Sequence, residues 1–507
     1  MRAHDLVGRT ESFFESNICL LFALLIYVAL QSYGWHGLIT DHHVFRQTQT
    51  ALTARGIARG GPILAYETPA LGAPWSIPFE FPMYQTLVGK ISSWSGVSIE
   101  IVGRSVSSFF FLLAVVFVGL ILRELEFDRA QTHLAMCLFL LSPFYVFWSR
   151  TVLIEANALA LALGAFWCFL RYVRSADERP LAGFLILGAL AAAVKITTYF
   201  AFAALIGFLT MYHFIYLRRN WRKWILAMIA QVLIVILTKI WLDFGDALKA
   251  QNILAENMVS AKMGWWNYGA WGLRFQGDSW ARFVERGLYT LGHKLFFVPF
   301  LFIRLVNSRV RMLYFALLFM LFFPFLVFTN LHVRHIYYAY ANAYVYPIAL
   351  AFFLFFLLRH QNLRVRAVGM VILVASFVLE LRYYIHDRVP MIRDAKVSAV
   401  PEMDFARSHM KPEDVILISG KSWSPEIPYY LDHRALMFEF PLLDMKDRAA
   451  EALRRLRGAG YQAPLWFVCD DERPGNLKAM QDVFGGALSL VFEGPDCKVF
   501  SGSTKGE

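Results

Sequence analysis

The chain has 507 residues, 58% hydrophobic, 16% aromatic and only 17% charged. A soluble globular domain of this size does not carry that balance, whereas a chain crossing a bilayer many times does. The net charge of +11 would suit a nucleic-acid binder, but its distribution along the chain points elsewhere.

The N-terminal stretch "MRAHDLVGRTESFFESN" leads into the first apolar run without a small-residue cleavage site, so it reads as a retained anchor. Apolar runs follow near 18–35, 105–122, 132–148, 152–170, 181–194, 198–217, 224–241, 288–306, 311–328, 338–358 and 366–384. Most are long enough to cross ~30 Å of hydrocarbon, which predicts about eleven spans. Basic clusters occupy alternate loops: "RYVRSADER" from 171, "LRRNWRKW" from 217, "RLVNSRVR" from 304 and "RHQNLRVR" from 359. That alternation is the positive-inside bias, and it predicts a cytoplasmic N-terminus and, with an odd span count, an outer C-terminus. The basic excess is therefore topology, with a bilayer and no nucleic acid as its partner.

Beyond the last span the pattern changes. "DVILISG", "PLWFVCDD" and "LSLVFEG" read as strands, and "DRAAEALRRLRGAG" and "NLKAMQDVFGG" as helices. The predicted organisation is a multi-span helical domain over 1–389 and a small outer α/β domain over 390–507. Three of the five cysteines (Cys19, Cys137, Cys168) fall in apolar runs and read as packing. Cys469 and Cys497 share the outer domain, where a disulfide is allowed but not fixed by spacing.

The unexpected polar residues gather on the outer segments. Asp41, His42, His43 and Arg46 follow the first span, and Glu80 sits in the same long loop, 36–104. Arg150 and Glu155 straddle the turn "WSRTVLIEAN", Lys195 is the only charge of "AVKITTY", and Arg334 and His335 lie in "FTNLHVRHIYYAYANAY". Each has an ordinary reading. Asp41 suits a helix end, Arg46 its ion-pair partner, and Glu155 the positive end of a helix dipole with Arg150 beside it. His42 and His43 are adjacent and share no helical face, so metal ligation is the weaker reading. Arg334 and His335 suit lipid head groups, and the tryptophans of the 242–287 loop suit an interfacial belt. Lys195 resists such a reading, because a lone charge in an apolar turn needs an anionic partner.

Taken together, the set fits sugar transfer from a lipid-linked phosphate. An anionic leaving group needs fixed cations, for which Lys195, Arg150, Arg334 and His335 are available. The sugar carbon passes through an oxocarbenium-like state. The acceptor hydroxyl needs a base, for which Asp41 is the candidate. Glu80 or Glu155 then positions that base, orients the acceptor or holds a divalent cation; no other cofactor is expected.

The ordered series "FRQTQTALTARGIARGG", "FEFPMYQTLVGKIS", "VGRSVSSFFFLLAVV", "SRTVLIEANALALALG" and "AAAVKITTYFAF" resembles the multi-span glycosyltransferases of the GT-C fold. The likeness covers roughly 20–385 and is to the bacterial branch similar to aminoarabinose transferases and protein O-mannosyltransferases. The resemblance implies an inverting enzyme of the bacterial inner membrane, working on its periplasmic side with a polyprenyl-phosphate sugar donor. The implied acceptor is an envelope glycan, lipid or protein. It implies Asp41 as the catalytic acidic residue of the first outer loop, Glu155 as the second acidic residue with Arg150 as its arginine, and Lys195 on the donor phosphate. His42 and His43 stand where relatives often have a second acid, and Glu155 where they often have aspartate, which leaves metal use and acceptor class open. A transporter or lipid flippase is the rival reading, but it calls for repeats and charged or broken midplane helices. A non-catalytic envelope protein working through 390–507 leaves the outer charges without a purpose.

Overall fold

A computed structural model describes residues 11–217, 220–438, 441–469 and 476–504. The first ten residues, Arg218 and Arg219 of the second basic loop, and the two aspartates of "PLWFVCDD" lie outside the described residues. The main helices are α1 (Ile18–Ser32), α2 (Val44–Ala58), α3 (Met83–Ser95), α4 (Ile99–Glu124), α5 (Arg129–Leu141), α6 (Pro143–Trp148) and α7 (Glu155–Arg174). They continue with α8 (Arg179–Val194), α9 (Ile196–Tyr212), α10 (Trp221–Lys249), α11 (Gly277–Leu291), α12 (Ser308–Val327), α13 (Val345–Leu358) and α14 (Leu363–Tyr383). Two compact units emerge: one from 1–35, 104–240 and 264–393, the other from 36–103, 241–263 and 394–507.

The first unit is a helical bundle. Among the described residues, six helices are long and apolar enough to span a bilayer, and α1, α8 and α13 are shorter apolar helices. Its centre is α7 and α13, which are buried on nearly every face because small residues (Ala156, Ala158, Ala160, Ala162, Gly164) let α7 neighbours approach closely. At its periphery α10 and α14 turn Val232, Val235, Ile236, Val371, Val374 and Val378 outward. An apolar exterior of that kind fits lipid and not water. The 132–148 run is divided, since α5 ends at Leu141 and Pro143 opens α6. The 288–306 run is likewise not one helix. Gly292, at φ +68°, ends α11 in the left-handed conformation, where a side chain would also strike Tyr383. A 3₁₀ turn (Lys294–Phe297) and the short Val298–Leu301 helix follow it.

The second unit is built around a five-stranded sheet of order β2-β1-β3-β5-β4. Its strands are β1 (Val415–Ser419), β2 (Arg434–Met437), β3 (Leu465–Cys469), β4 (Gly486–Glu493) and β5 (Cys497–Thr504). β1 pairs in parallel with β2 and β3, while β5 pairs antiparallel with β3 and β4. All five residues of β1 are buried, as a central strand covered on both faces requires. The three expected strands and two expected helices are present; β2 and β5 were not anticipated. Cys469 and Cys497 face each other across β3 and β5 and form a disulfide.

A single cut at 389/390 does not describe this unit, because the loop after α1 packs on the sheet. Residues 69–72 lie along β2: Ala435 N–H donates to Pro69 O, Met437 N–H to Ala70 O and Gly72 N–H to Ala435 O. Asn252 Nδ2 donates to the carbonyls of Leu71, Gly72 and Pro74 at 2.9–3.2 Å. Trp75, Ile77 and Leu254 then enter the same core as Leu417 and Trp466.

Candidate active site

In the second unit the chain turns through His42 and His43 into α2. His43 is the helix N-cap in the left-handed conformation (φ 59°, ψ 44°), unusual for a residue with a side chain. Asp41, just before this turn, is 6% exposed, and Gln47 in the following helix donates to its Oδ1 at 2.6 Å. The same amide donates to the His42 carbonyl at 3.0 Å, so one side chain fixes both the carboxylate and the turn. The position before a 15-residue helix N-terminus also favours a negative charge.

Glu80 is held from both sides. Arg46 Nη2 meets its Oε2 at 2.8 Å and Gln85 Nε2 donates to its Oε1 at 2.8 Å. Arg46 thus has Glu80 as a carboxylate partner, and its Nη1 donates to Gln49. The Tyr66 hydroxyl donates to the Glu80 carbonyl; burial, then the Glu80 charge, pushes that phenol well up, so it stays a protonated donor. The His42 and His43 rings lie 4.7 Å apart. Among the described residues no group of three His, Cys, Asp or Glu side chains converges as a metal site. Amides donate to Asp41 and Glu80 and a guanidinium pairs with Glu80, contacts that orient both carboxylates.

In the first unit, Lys195 is the single non-helical residue between α8 and α9, with extended backbone (φ −156°, ψ 92°). Its Nζ lies 2.7 Å from Glu155 Oε2, with the two side chains only 11% and 4% exposed. Glu155 opens α7 and pairs with Lys195, not with Arg150 as a local reading of the turn suggests. The Tyr338 ring centroid is 4.2 Å and the Tyr337 centroid 5.2 Å from the ammonium, so two aromatic faces also flank it. His332 is pushed down to about 3, by burial first and then by Arg286 and Lys195, which keeps it neutral and marks the region as cationic.

Arg150 is 1% exposed, with Phe147 beneath its guanidinium at 5.9 Å and Nη2 at 3.4 Å from the Gly34 carbonyl. Arg334 is exposed, donates to Asn330 Oδ1 at 3.0 Å and lies over Trp265 and Trp266. His335 stacks on Tyr337 and tilts against Trp266. Two of the tryptophans read as an interfacial belt therefore shape the surroundings of Arg334 and His335. Thus Lys195 and Glu155 come together in one unit, as do Arg46 and Glu80 in the other. Sequence reasoning missed the residues that orient them: Gln47, Gln85, Tyr337 and Tyr338. A signal was present in α2, where Gln47, Thr48, Gln49, Thr50 and Thr53 are all buried, a polar row that a lipid-facing or packing helix would not carry.

Residues 79–254 match the family model of dolichyl-phosphate-mannose-protein mannosyltransferase, a segment that includes Glu80, Arg150, Glu155 and Lys195. No curated protein sequence matches the chain. Among solved structures, ArnT from Cupriavidus metallidurans bound to undecaprenyl phosphate superposes with a TM-score of 0.65 at 12% identity, over 97% of this chain and 99% of that one. Apo ArnT from the same organism gives 0.62 at 14% identity, over 94% and 97%. The oligosaccharyltransferase AglB from Archaeoglobus fulgidus, in complex with an inhibitory peptide and a dolichol-phosphate, gives 0.60 at 13% identity, over 96% of this chain and 74% of that one. At such identities the shared property is the fold, and the fold is GT-C.

Proposed function

We propose that this chain, which has the GT-C fold, is a glycosyltransferase that moves a sugar, with inversion, from a polyprenyl-phosphate donor to an envelope glycan, lipid or protein at the periplasmic face of a bacterial inner membrane. The observation that carries the proposal is Lys195, a cation fixed in a helix break between a buried carboxylate and two tyrosine faces. A buried lysine with so rigid a seat is pre-organised for an anion, and pre-organised charge is what a departing phosphate requires. The undecaprenyl phosphate named in ArnT and the dolichol-phosphate named in AglB supply the chemical class of that anion.

Each residue then has a role. Lys195 and Arg150 receive the donor phosphate, with Arg334 and His335 as lesser contributors. Glu155 sets the Lys195 ammonium in place and does not act as base, because its charge is already committed to that pair. Asp41 takes the acceptor proton or, for an acceptor that is already ionised, orients it. Glu80 acts through Arg46, which it holds by a charge-assisted hydrogen bond. The Cys469–Cys497 disulfide supports an oxidising compartment for the second unit.

The test is direct. Purified protein incubated with a labelled polyprenyl-phosphate sugar and envelope extract should move label to an acceptor. Retention of all label on the donor across the common sugars would defeat the proposal. For orientation, a phosphatase fused after Glu507 should be active and one fused near Arg219 inactive; the reverse would put Asp41 in the cytoplasm, where this chemistry has no place.

A further inference from the structure

The first unit contains an apolar space to which the proposed reaction assigns no role. It has a volume of about 510 Å³ and lies among α4, α7, α9, α12 and α13. Leu163, Phe202, Met320 and Tyr344, all at least 96% buried, line its inner part. Arg174, at the far end of α7 from Glu155, and Arg309 line it as well. From Leu163 to Arg174 the helix rises about 16 Å, a depth suited to a hydrocarbon chain. Met312, on its wall, is 62% exposed, which leaves the side of the cavity open to surrounding lipid.

The mouth is charged and its charges are linked. Glu126 bridges Arg174 (2.6 Å) and Arg309 (3.0 Å), while Glu124 lies 3.8 Å from Arg174 and 4.0 Å from Arg171. Three guanidinium groups therefore share two carboxylates, a net positive charge at an apolar opening. The N-terminus of the 20-residue α12, which starts at Ser308 on the same rim, adds its positive dipole end. Arg174 and Arg309 come from two of the basic loops assigned to the cytoplasmic side, and basic pockets between spanning helices at that level suit anionic head groups.

We infer that this cavity binds one anionic phospholipid of the leaflet opposite the transfer site, with an acyl chain in the apolar space and its phosphate on Arg174 and Arg309. Glu126 is the internal competitor: it holds both arginines when no lipid phosphate is present and yields part of them when one arrives.

Native mass spectrometry of the full-length protein, titrated with phosphatidylglycerol or with phosphatidylethanolamine of the same chains, reads this site. Wild type should retain one phosphatidylglycerol with at least tenfold preference. Arg174→Gln/Arg309→Gln should abolish the preference, and Ala316→Phe, which fills the cavity, should weaken both lipids. Glu126→Gln is the decisive variant, because freeing the two arginines should tighten phosphatidylglycerol severalfold, a gain that misfolding cannot imitate. Equal binding of the two lipids by wild type, or unchanged or weaker phosphatidylglycerol binding by Glu126→Gln, overturns the inference. So does displacement of the lipid by polyprenyl phosphate in wild type but not in Lys195→Ala, which would make the cavity the donor's tail channel. None of these readings depends on turnover, so the site and the proposed reaction stand or fall separately.

Discussion

Replacing Lys195 by methionine removes the positive member of a pair separated by 2.7 Å and exposed by only 11% and 4%. At an effective dielectric of about 20, the attraction across that distance is roughly 6 kcal/mol. Desolvation offsets part of it, and breaking such a pair from one side typically costs about 3–5 kcal/mol because the other charge stays buried. Lys195→Met should therefore lose stability as well as donor affinity, the latter by about ten- to a hundredfold for one charge-assisted contact worth roughly 1.5–3 kcal/mol. The double variant Lys195→Met/Glu155→Gln separates the two effects. Neutralising the orphaned carboxylate should restore most of the thermal stability in detergent, yet donor affinity should stay low because no cation has returned. Paired measurements of unfolding temperature and polyprenyl-phosphate binding decide the matter. If the double variant recovers donor binding along with stability, Lys195 is a structural group only and the phosphate assignment is wrong.

Asp41→Asn should lower turnover by roughly 10²–10⁴-fold while leaving donor affinity intact; near-normal turnover would reduce Asp41 to a polar residue of the turn into α2. The Asp432 carboxyl is raised by burial but more than offset by Arg59 and Arg55, so it titrates below its ordinary range. Its contribution is complete above the unfolded value of about 3.9 and is lost as pH falls through the lower folded value. Unfolding followed between pH 5 and 2.5 should accordingly show a weaker acid dependence in Asp432→Asn than in wild type, and identical curves would contradict the ion pairs at 2.7 and 3.2 Å. Cys469→Ser/Cys497→Ser should destabilise the sheet unit by about 2–4 kcal/mol, seen as an earlier unfolding step in which the helical signal persists; no change would mean the bridge is dispensable.

Much of this was legible in residue order, and the reasons are physical. Spans are visible because a bilayer admits few solutions, so the runs in α4, α10 and α14 declare themselves by length and apolarity. The lone charge in "AVKITTY" was likewise informative, since a lysine there needs a partner. That the partner is Glu155, forty residues earlier, depends on the antiparallel packing of α7 against α8, which no local pattern specifies. The sequence presents 36–104 as one long outer loop. Its assembly with β2 rests on backbone hydrogen bonds from residues 69–72 and on Asn252, and backbone pairing leaves little trace in side-chain identity. The 288–306 run was misleading because its apolarity concealed Gly292 and Pro299, whose effect on the backbone outweighs hydropathy. Glu80 was chosen as a carboxylate near the reaction, but Gln85 and Arg46, which determine how it presents itself, become neighbours only through the turn into α3.

The one-residue joint at Lys195 has a further consequence, for how this protein can change over generations. Side chains around the joint can be exchanged and their effects absorbed locally, but chain length there cannot. One residue inserted just past the joint, after Ile196 and within α9, would turn the rest of that helix by about 100° and advance it by about 1.5 Å. Phe202 and Leu205, which now face inward, would swing toward lipid, and Phe208 and Met211 would turn toward the bundle. Drift in sequence is open to this segment, whereas insertion and deletion are closed to it, and new specificity would have to enter through loops such as 250–276 whose length is not geared to a helix.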